Sequence, residues 1–247
     1  MRTALMEIVD NWREDVSLGA DRPAILIVHG TADSAANWQS WCEWLGRLGW
    51  RATAIDLPGH GAGAASNADS SVGACCDYLE PFVRKYQPTV LLGHSLGGVV
   101  AVELALRRVA VRKLLLVCPA IEMPVLTRAF YNWFVEYPLD WLNAQQAWLS
   151  PLLAVRPRWQ TSLATPPITI RGAWTSLRTW QAPDWSSLGI PTAIVGGQWD
   201  HIAPPSTLVR LARALPGSTL TILPGRHRPM DEAPTAFAHW LRHSLRL

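Results

Sequence analysis

The sequence predicts an α/β fold in which a mostly parallel, doubly wound sheet is interrupted by one helical insertion. Short apolar runs alternate with stretches whose apolar residues recur at helical spacing, which is typical of a parallel sheet flanked by helices. The 247 residues, of which 49% are apolar and 17% are charged, fit one compact domain with a small insertion. A chain of this kind is neither disordered nor collagen-like, and it can bury a large core without disulfides or metal ions.

Six runs are predicted as strands because each is apolar for most of its length, as a strand covered on both faces must be. These runs are 24–28, 52–55, 90–92, 113–117, 192–195 and 219–223. We expect the residues before 24 to form a short hairpin.

Helices are predicted between the strands, where apolar residues recur every three or four positions. The first has Trp38, Trp41 and Leu45 at this spacing, and it can begin after the capping residue Ser34 and end at Gly49. Comparable patterns occupy 72–86, 99–106, 208–215 and 234–241.

The segment 120–185 breaks the alternation of strands and helices. It contains no run typical of a central strand, and it has seven of the fourteen tryptophans. We predict short helices at 126–135, 139–150 and 173–179, separated by prolines. Residues 1–119 and 186–247 are therefore assigned to the core, and 120–185 to a helical insertion.

Charge, cysteine usage and hydropathy exclude several classes of protein. The formal net charge is only +3 and like charges are scattered, so we expect no nucleic-acid partner. The four cysteines lack metal-ligand spacing and are expected as buried thiols. No run has the length of a membrane span, and the first ten residues lack the apolar core of a signal peptide. We therefore expect a cytoplasmic protein without stable membrane insertion.

The most specific local motif is Gly-His-Ser-Leu-Gly at 93–97, which lies between a predicted strand and a predicted helix. In that context G-x-S-x-G places Ser95 at the tip of a tight turn, where Gly93 and Gly97 leave room for it. The following helix directs its dipole and free N–H groups at the same point, so the Leu96 N–H can stabilise an oxyanion. A bare pentapeptide match is equally consistent with an ordinary glycine-rich turn, but the flanking strand and helix favour a nucleophile.

A serine hydroxyl needs a base, and the base needs a group that orients it. Among seven histidines, His227 follows the last predicted strand and so lies at the sheet edge from which Ser95 also emerges. Asp200 follows the fifth strand at the same edge, where it can orient the imidazole and stabilise the imidazolium. Glu122 is the alternative acid. These residues predict nucleophilic acyl transfer.

In the order Ser95, Asp200, His227 the chain resembles the α/β-hydrolase superfamily, whose catalytic triad follows the same order. The resemblance covers almost the whole chain and includes His-Gly-Thr at 29–31 and Asp-Leu-Pro-Gly-His-Gly at 56–61. It implies that the Thr31 N–H is the second oxyanion donor and that 120–185 forms a cap over the active site. No metal or cofactor is implied.

The chain departs from the superfamily pattern beside the candidate base. Members usually have Gly directly before this histidine, whereas Arg226 and Arg228 flank His227 here. Two cations this close to the candidate base could attract an anionic substrate group. The interpretation that both arginines face solvent is favoured.

The tryptophans of 120–185 predict an aromatic-lined pocket for a hydrophobic acyl or aryl group. Six residues are predicted to contact substrate: His29, Gly30, His94, Trp133, Trp159 and Trp199. The leading function is a carboxylic ester hydrolase that acts on a small hydrophobic ester. A carbon–carbon bond hydrolase or lyase is an alternative, and so is a ligand-binding relative with little turnover. The former alternative predicts a carboxylate-binding cation among Arg128, Arg156, Arg171 and Arg178.

Overall fold

The computed structural model describes residues 23–66, 68–145, 148, 161–162 and 164–246. The centre of the fold is a six-stranded parallel sheet in the order β2-β1-β3-β4-β5-β6, which confirms the predicted fold class. The strands are β1 (Ala24–Val28), β2 (Arg51–Ile55), β3 (Val90–His94), β4 (Lys113–Val117), β5 (Thr192–Gly197) and β6 (Thr219–Leu223).

β2 begins one residue earlier than predicted, and two other strands extend further at their carboxyl ends, because neighbouring strands provide hydrogen-bond partners beyond the apolar run. β3 continues to His94, which pairs with Val117 of β4. β5 continues to Gly197, which pairs with Leu223 of β6. Glycine is unfavourable in isolated strands, but pairing with the neighbouring strand outweighs that preference. Both strands therefore reach further toward the loops that follow them.

Helices lie in the regions where the apolar periodicity predicts them, and one further short helix, Pro229–Glu232, was not predicted. They are α1 (Gln39–Arg47), α2 (Val72–Tyr86), α3 (Leu96–Leu106), α4 (Val125–Glu136), α5 (Pro138–Ala144), α6 (Pro167–Thr179), α7 (Pro205–Ala214), α8 (Pro229–Glu232) and α9 (Pro234–Ser244). Shorter 3-10 turns lie at Ala35–Trp38, Gly61–Ser66 and Trp185–Ser187. The first predicted helix therefore begins as a 3-10 turn, and Ser34 makes no side-chain cap bond there. No helix in the described ranges is long and apolar enough to cross a bilayer.

Residues 120–185, here called the insert, connect β4 to β5 and contribute α4, α5 and α6. α6 begins at Pro167, six residues earlier than predicted, because proline is well tolerated in the first turn of a helix. Val135, Leu139 and Trp174 form a small apolar cluster that joins these three helices. The second half of the helix predicted at 139–150 falls largely outside the described residues, as does the hairpin predicted before residue 24.

The strand order positions the candidate site. From β1 the chain moves to β2 on one side, and it later returns to β3 on the other side, so the direction of winding reverses between β1 and β3. Val28 of β1 pairs with Gly93 of β3 near the ends of both strands. Open α/β sheets bind ligands at such a reversal, beyond the carboxyl ends of the strands. The loops that contain Thr31 and Ser95 therefore leave the sheet side by side.

Candidate active site

Ser95 lies in a strained turn between β3 and α3, with φ of 53° and ψ of −116°. Two glycines make room for the turn. A Cβ on Gly93 would lie 2.2 Å from the Gly97 carbonyl oxygen, and a Cβ on Gly97 would lie 2.1 Å from the Val28 carbonyl oxygen. The Ser95 N–H donates to the Val117 carbonyl at 3.0 Å, which fixes the turn against β4. The predicted strand–turn–helix context of this serine is therefore present.

The three side chains predicted as a triad are in hydrogen-bond contact. The Ser95 hydroxyl donates to His227 Nε2 across 2.9 Å, and His227 Nδ1–H donates to Asp200 Oδ2 across 2.8 Å. This pattern assigns the proton of the neutral imidazole to Nδ1, because the carboxylate can only accept. The loops after β3, β5 and β6 supply the three groups, although 132 residues separate Ser95 from His227 in the chain. Their catalytic role remains a prediction.

Asp200 is only 2% exposed, yet it has the environment of an ionised carboxylate. Its Oδ1 accepts the backbone N–H groups of Ile202 and Ala203 at 2.8 and 3.1 Å. Burial raises the pKa of Asp200, but the hydrogen bond and charge of His227 and the two backbone N–H groups outweigh it, so the pKa lies below its ordinary value. The Asp200 carboxylate thus caps the turn that follows it, and the N–H groups of that turn help to keep the carboxylate ionised beside His227.

Two backbone N–H groups are candidates for an oxyanion site beside Ser95. Leu96 is the first residue of α3, so its N–H has no acceptor within the helix. Thr31 follows β1 and lines the same cavity as Ser95. Gly30 packs against the turn itself, since a Cβ there would lie 3.0 Å from Ser95 Cβ. Gly30 therefore permits the close approach of the two loops and does not line the cavity, which corrects its predicted role as a substrate contact.

A cavity of about 360 Å³ opens above Ser95, between the sheet edge and the insert. Its walls are mostly apolar, and the larger side chains come from α4, α5 and α6. The apolar lining residues include Met123, Tyr131, Phe134, Val135, Leu139, Leu142, Ile170, Trp174 and Leu177. The polar lining residues include Thr31, Ser95, His227 and Arg228 from the sheet loops, and Asn143 and Ser162 from the insert. The site therefore combines polar groups of the sheet loops with a mostly apolar chamber.

His29 does not contact the cavity, and its predicted role as a substrate contact is wrong. The side chain is fully buried; Nδ1–H donates to the Gly30 carbonyl at 2.8 Å, and Nε2 accepts the Leu57 N–H at 3.0 Å. Burial lowers the pKa of His29. Nε2 therefore ties the loop after β1 to the loop after β2, and the Nδ1–H bond stays within the first loop.

Two of the three predicted tryptophan contacts also lie away from the cavity. Trp133 is 54% exposed because Tyr131 and Phe134 take the inner face of α4, and residue 133 lies on the other side of the helix. Trp199 is 57% exposed on the loop before Asp200. Trp159 lies outside the described residues.

His94 does line the cavity, but its main contact is with the candidate base. His94 Nε2–H donates to the backbone carbonyl of His227 at 2.9 Å. The two imidazole rings lie 5.1 Å apart, and the indole of Trp38 lies behind His94 at 6.1 Å. His94 therefore both lines the cavity and contacts the loop of the candidate base, and its predicted contact with substrate stays a prediction.

The charged residues weighed as alternatives are engaged elsewhere. Glu122 pairs with Arg210 at 2.6 Å near the surface and is not in contact with His227. Arg171 pairs with Asp140 at 2.6 Å, and Arg178 bonds to Asn132. Arg128 is exposed, and Arg156 lies outside the described residues. None of the described arginines of the insert lines the cavity.

Several cavity residues were not singled out by the sequence. Tyr131, Phe134 and Val135 share one face of α4, but the same spacing is equally typical of core packing. Asp33 is another omission: it is 3% exposed and pairs with Arg228 at 2.8 Å. The sequence did contain a signal for this ion pair: Asp33 lies two residues after Thr31, and Arg228 directly follows His227.

One cluster among the described residues has metal-ligating atom types. Cys118 Sγ, an Asp200 oxygen and a His227 ring nitrogen lie within 4.8 Å of one another. The Asp200 and His227 atoms already bond to each other, and burial raises the pKa of the Cys118 thiol well above its ordinary value. A metal would have to displace that hydrogen bond and remove the thiol proton. The other described cysteines are also free thiols; Cys75 and Cys76 are buried as predicted, whereas Cys42 is only half-buried.

Comparisons with known proteins agree with this architecture. An esterase of Mycobacterium tuberculosis (strain ATCC 25618 / H37Rv) is 33% identical over 90 residues, which cover 35% of this chain and 29% of that protein. The first curated relatives are matched over only 30% of their own length.

Solved structures match over nearly the whole chain. A hydrolase from Pseudomonas aeruginosa PA01 has a TM-score of 0.76 and 21% identity, covering 93% of this chain and 92% of that one. An esterase from Exiguobacterium antarcticum has a TM-score of 0.74 and 18% identity, covering 90% and 91%. At these identities the likeness shows a shared fold. A sequence profile described as the alpha/beta hydrolase family matches residues 25–240, and the chain therefore belongs to that family.

Proposed function

We propose that the protein is a serine hydrolase that cleaves carboxylic esters of hydrophobic acyl or aryl groups through an acyl-enzyme intermediate. The observation that carries this proposal is the 2.9 Å contact between the Ser95 hydroxyl and His227 Nε2, two residues that line an apolar cavity. The contact provides a nucleophile and a base within proton-transfer distance, and the cavity favours an apolar substrate.

In the proposed reaction, His227 accepts the Ser95 proton as the serine oxygen attacks the ester carbonyl. Asp200 stabilises the imidazolium that forms, and the N–H groups of Thr31 and Leu96 donate to the oxyanion. His227 then gives its proton to the leaving alcohol, and Ser95 keeps the acyl group. Water attacks the acyl-enzyme with His227 again as base, which releases the carboxylic acid and restores the serine. Removing one oxyanion donor raises the barrier of such a reaction by about 3 kcal/mol.

The size and lining of the cavity support a restricted group of substrates. A volume of about 360 Å³ is near the lower end of ligand pockets, which span about 300–1,000 Å³. The aromatic walls formed by Tyr131, Phe134 and Trp174 suit a short aliphatic or a single-ring group. Esterases among the structures with this fold are consistent with that chemistry.

The decisive experiment measures hydrolysis of p-nitrophenyl esters, from acetate to decanoate, by the wild type and Ser95→Ala. We expect turnover with an optimum at short to medium acyl groups, and a loss on the order of 10⁶ in kcat for Ser95→Ala. Ser206→Ala is the matched control, because Ser206 is exposed on α7. An alkyl fluorophosphonate should label the wild type at Ser95. A wild type that binds these esters without turnover would instead indicate a ligand-binding relative.

A further inference from the structure

Arg228 directly follows the candidate base, and its guanidinium is held between two carboxylates. Nε donates to Asp231 Oδ2 at 2.6 Å, and Nη1 donates to Asp33 Oδ2 at 2.8 Å. The side chain is 26% exposed, whereas that of Arg226, on the other side of His227, is 72% exposed. The expectation that both arginines face solvent is therefore wrong for Arg228. The two carboxylates thus hold Nε and Nη1, whereas Nη2 is buried without a hydrogen-bond partner in the described part of the chain.

The Asp33 end of this contact lies in the loop that follows β1, two residues after Thr31. Asp33 Oδ1 accepts a hydrogen bond from the Asn37 amide at 2.5 Å, so both carboxylate oxygens are bonded. Burial raises the pKa of Asp33, but Arg228 and the nearby His29 outweigh it, so the pKa lies well below its ordinary value and the carboxylate is charged. Removing Arg228 would leave a buried negative charge without its close cation.

The other contacts around His227 keep its loop folded but do not reach Thr31. The Arg226 N–H donates to Glu232 within the loop, and His94 Nε2–H donates to the His227 carbonyl from the Ser95 turn. The Arg228–Asp33 pair joins the loop of the base directly to the loop of the candidate oxyanion donor, across 195 residues of sequence. The Arg228 side chain thus links the loop of His227 to the loop of Thr31, although these loops lie near opposite ends of the sequence.

We infer that Arg228 is a positioning residue that fixes His227 relative to the Thr31 oxyanion loop. This inference rests on the proposed function. Attack by Ser95 requires a base on one side and an N–H donor on the other at the same moment. A displacement of about 1 Å in either can cost on the order of 100-fold in rate. The planar guanidinium of Arg228 bonds to two carboxylates at once, so it fixes both the distance and the angle between the two loops. A lysine ammonium would not fix that angle.

The test compares Arg228→Met with Arg226→Met. Each substitution removes one positive charge beside His227 and keeps an unbranched side chain at that position. Arg228→Met should lower kcat about 10- to 100-fold with KM changed less than about 2-fold, and Arg226→Met should leave both within about 2-fold. Arg228→Lys should restore only part of the loss. Asp33→Asn should resemble Arg228→Met, and the double variant should be little worse than either single variant, since both remove one interaction.

A second readout separates this inference from the proposed function. The His227 Nδ1–H bonded to Asp200 should give a strongly downfield proton resonance in the wild type and Arg226→Met, and a weakened or exchange-broadened one in Arg228→Met. Failure of the wild type to hydrolyse esters or react with a fluorophosphonate would refute only the proposed function, and the resonance would still decide the role of Arg228. A normal resonance and normal kcat in Arg228→Met with a lowered melting temperature would show a purely stabilising role and overturn the inference. If Arg228→Met fails to fold, Arg228→Lys and Asp33→Asn provide the same comparison.

Discussion

His94 donates its Nε2–H to the backbone carbonyl of His227, so the residue before the candidate nucleophile directly supports the candidate base. Burial, followed by the charges of His227 and Arg228, lowers the pKa of His94 well below its ordinary value. The neutral ring therefore has one N–H, and the contact to the carbonyl places it on Nε2. The Ser95 turn and the His227 loop are thereby joined both through side chains and through the backbone.

Replacing His94 tests this support. His94→Phe keeps an aromatic ring against Trp38 but leaves the His227 carbonyl without its donor. We expect a loss of about 1–3 kcal/mol in the free energy of unfolding, which is typical of a buried polar group left unpaired. Ester turnover should fall together with it. Denaturant unfolding and kcat measured on the same preparations check both, with Trp199→Phe on the exposed loop as control. Unchanged stability would contradict the structural role of this bond.

Asp200 and Glu122 provide a direct comparison of the two acids that the sequence offered. Asp200→Asn removes the charge that orients and stabilises His227, and kcat for ester hydrolysis should fall about 10⁴-fold. Glu122→Gln, which breaks a surface pair with Arg210, should leave kcat unchanged. Steady-state kinetics on one aryl ester is sufficient. Equal effects of the two substitutions would show that Asp200 is not the orienting acid.

The glycines of the Ser95 turn should not tolerate replacement by a residue with a Cβ, because that atom would clash with the backbone. Gly97→Ala would place a Cβ 2.1 Å from the Val28 carbonyl oxygen, so the turn must shift away from β1. We expect destabilisation of about 3 kcal/mol or more and loss of ester turnover. Gly46→Ala is the control: Gly46 lies in α1, a Cβ there would meet no heavy atom within 4 Å, and the exchange should stabilise by about 0.5–1 kcal/mol. Thermal unfolding of both variants measures the difference.

The insert should set the acyl preference. Ile170 of α6 lines the cavity, whereas Ile168 on the same helix is 58% exposed. Ile170→Phe should shift the optimum toward shorter acyl groups, and Ile170→Ala toward longer ones. Each methylene gained or excluded changes kcat/KM by about 10-fold or more. Ile168→Ala should leave the whole profile unchanged. The same profile for all variants would show that the acyl group lies elsewhere.

Buried histidine should make the protein less stable in mild acid. Burial, assisted by His29, lowers the pKa of His60 to about 3 from an ordinary value of 6.5. Below pH 6.5 the unfolded chain binds a proton at this residue, and the folded chain does not until about pH 3. The contribution is fully present above pH 6.5, and stability falls by about 1.4 kcal/mol per pH unit as pH decreases through this window.

The pH effect is measured by denaturant unfolding at several values between about pH 4 and pH 8. His60→Asn keeps a donor for the Pro58 carbonyl, which His60 Nδ1–H contacts at 3.0 Å, and should reduce the slope. His239→Asn, on the exposed side of α9, is the control. A slope that is the same in His60→Asn and the wild type would refute the assignment.

Local patterns predicted most of the core correctly. The apolar runs define all six strands because a strand buried on both faces needs apolar side chains along its whole length, and helical periodicity identifies α1 to α3 and the last helices for the same reason. Errors concentrate at the ends of elements. β3 and β5 gained residues through pairing with neighbouring strands, an interaction that does not depend on their own sequence.

The candidate reacting residues could also be predicted from the sequence. Ser95, Asp200 and His227 each follow a strand whose carboxyl end lies at one edge of a parallel sheet. The cavity lining was harder to predict, because a spacing of three or four residues marks an apolar face without indicating whether that face meets a core or a cavity. Thus the predicted contacts His29 and Trp133 lie outside the cavity, whereas Phe134 lines it. Nor does the sequence distinguish Arg228 from Arg226. Only the folded chain brings Asp33 to one of them, because an ion pair across 195 residues is decided by the packing of loops and not by either local sequence.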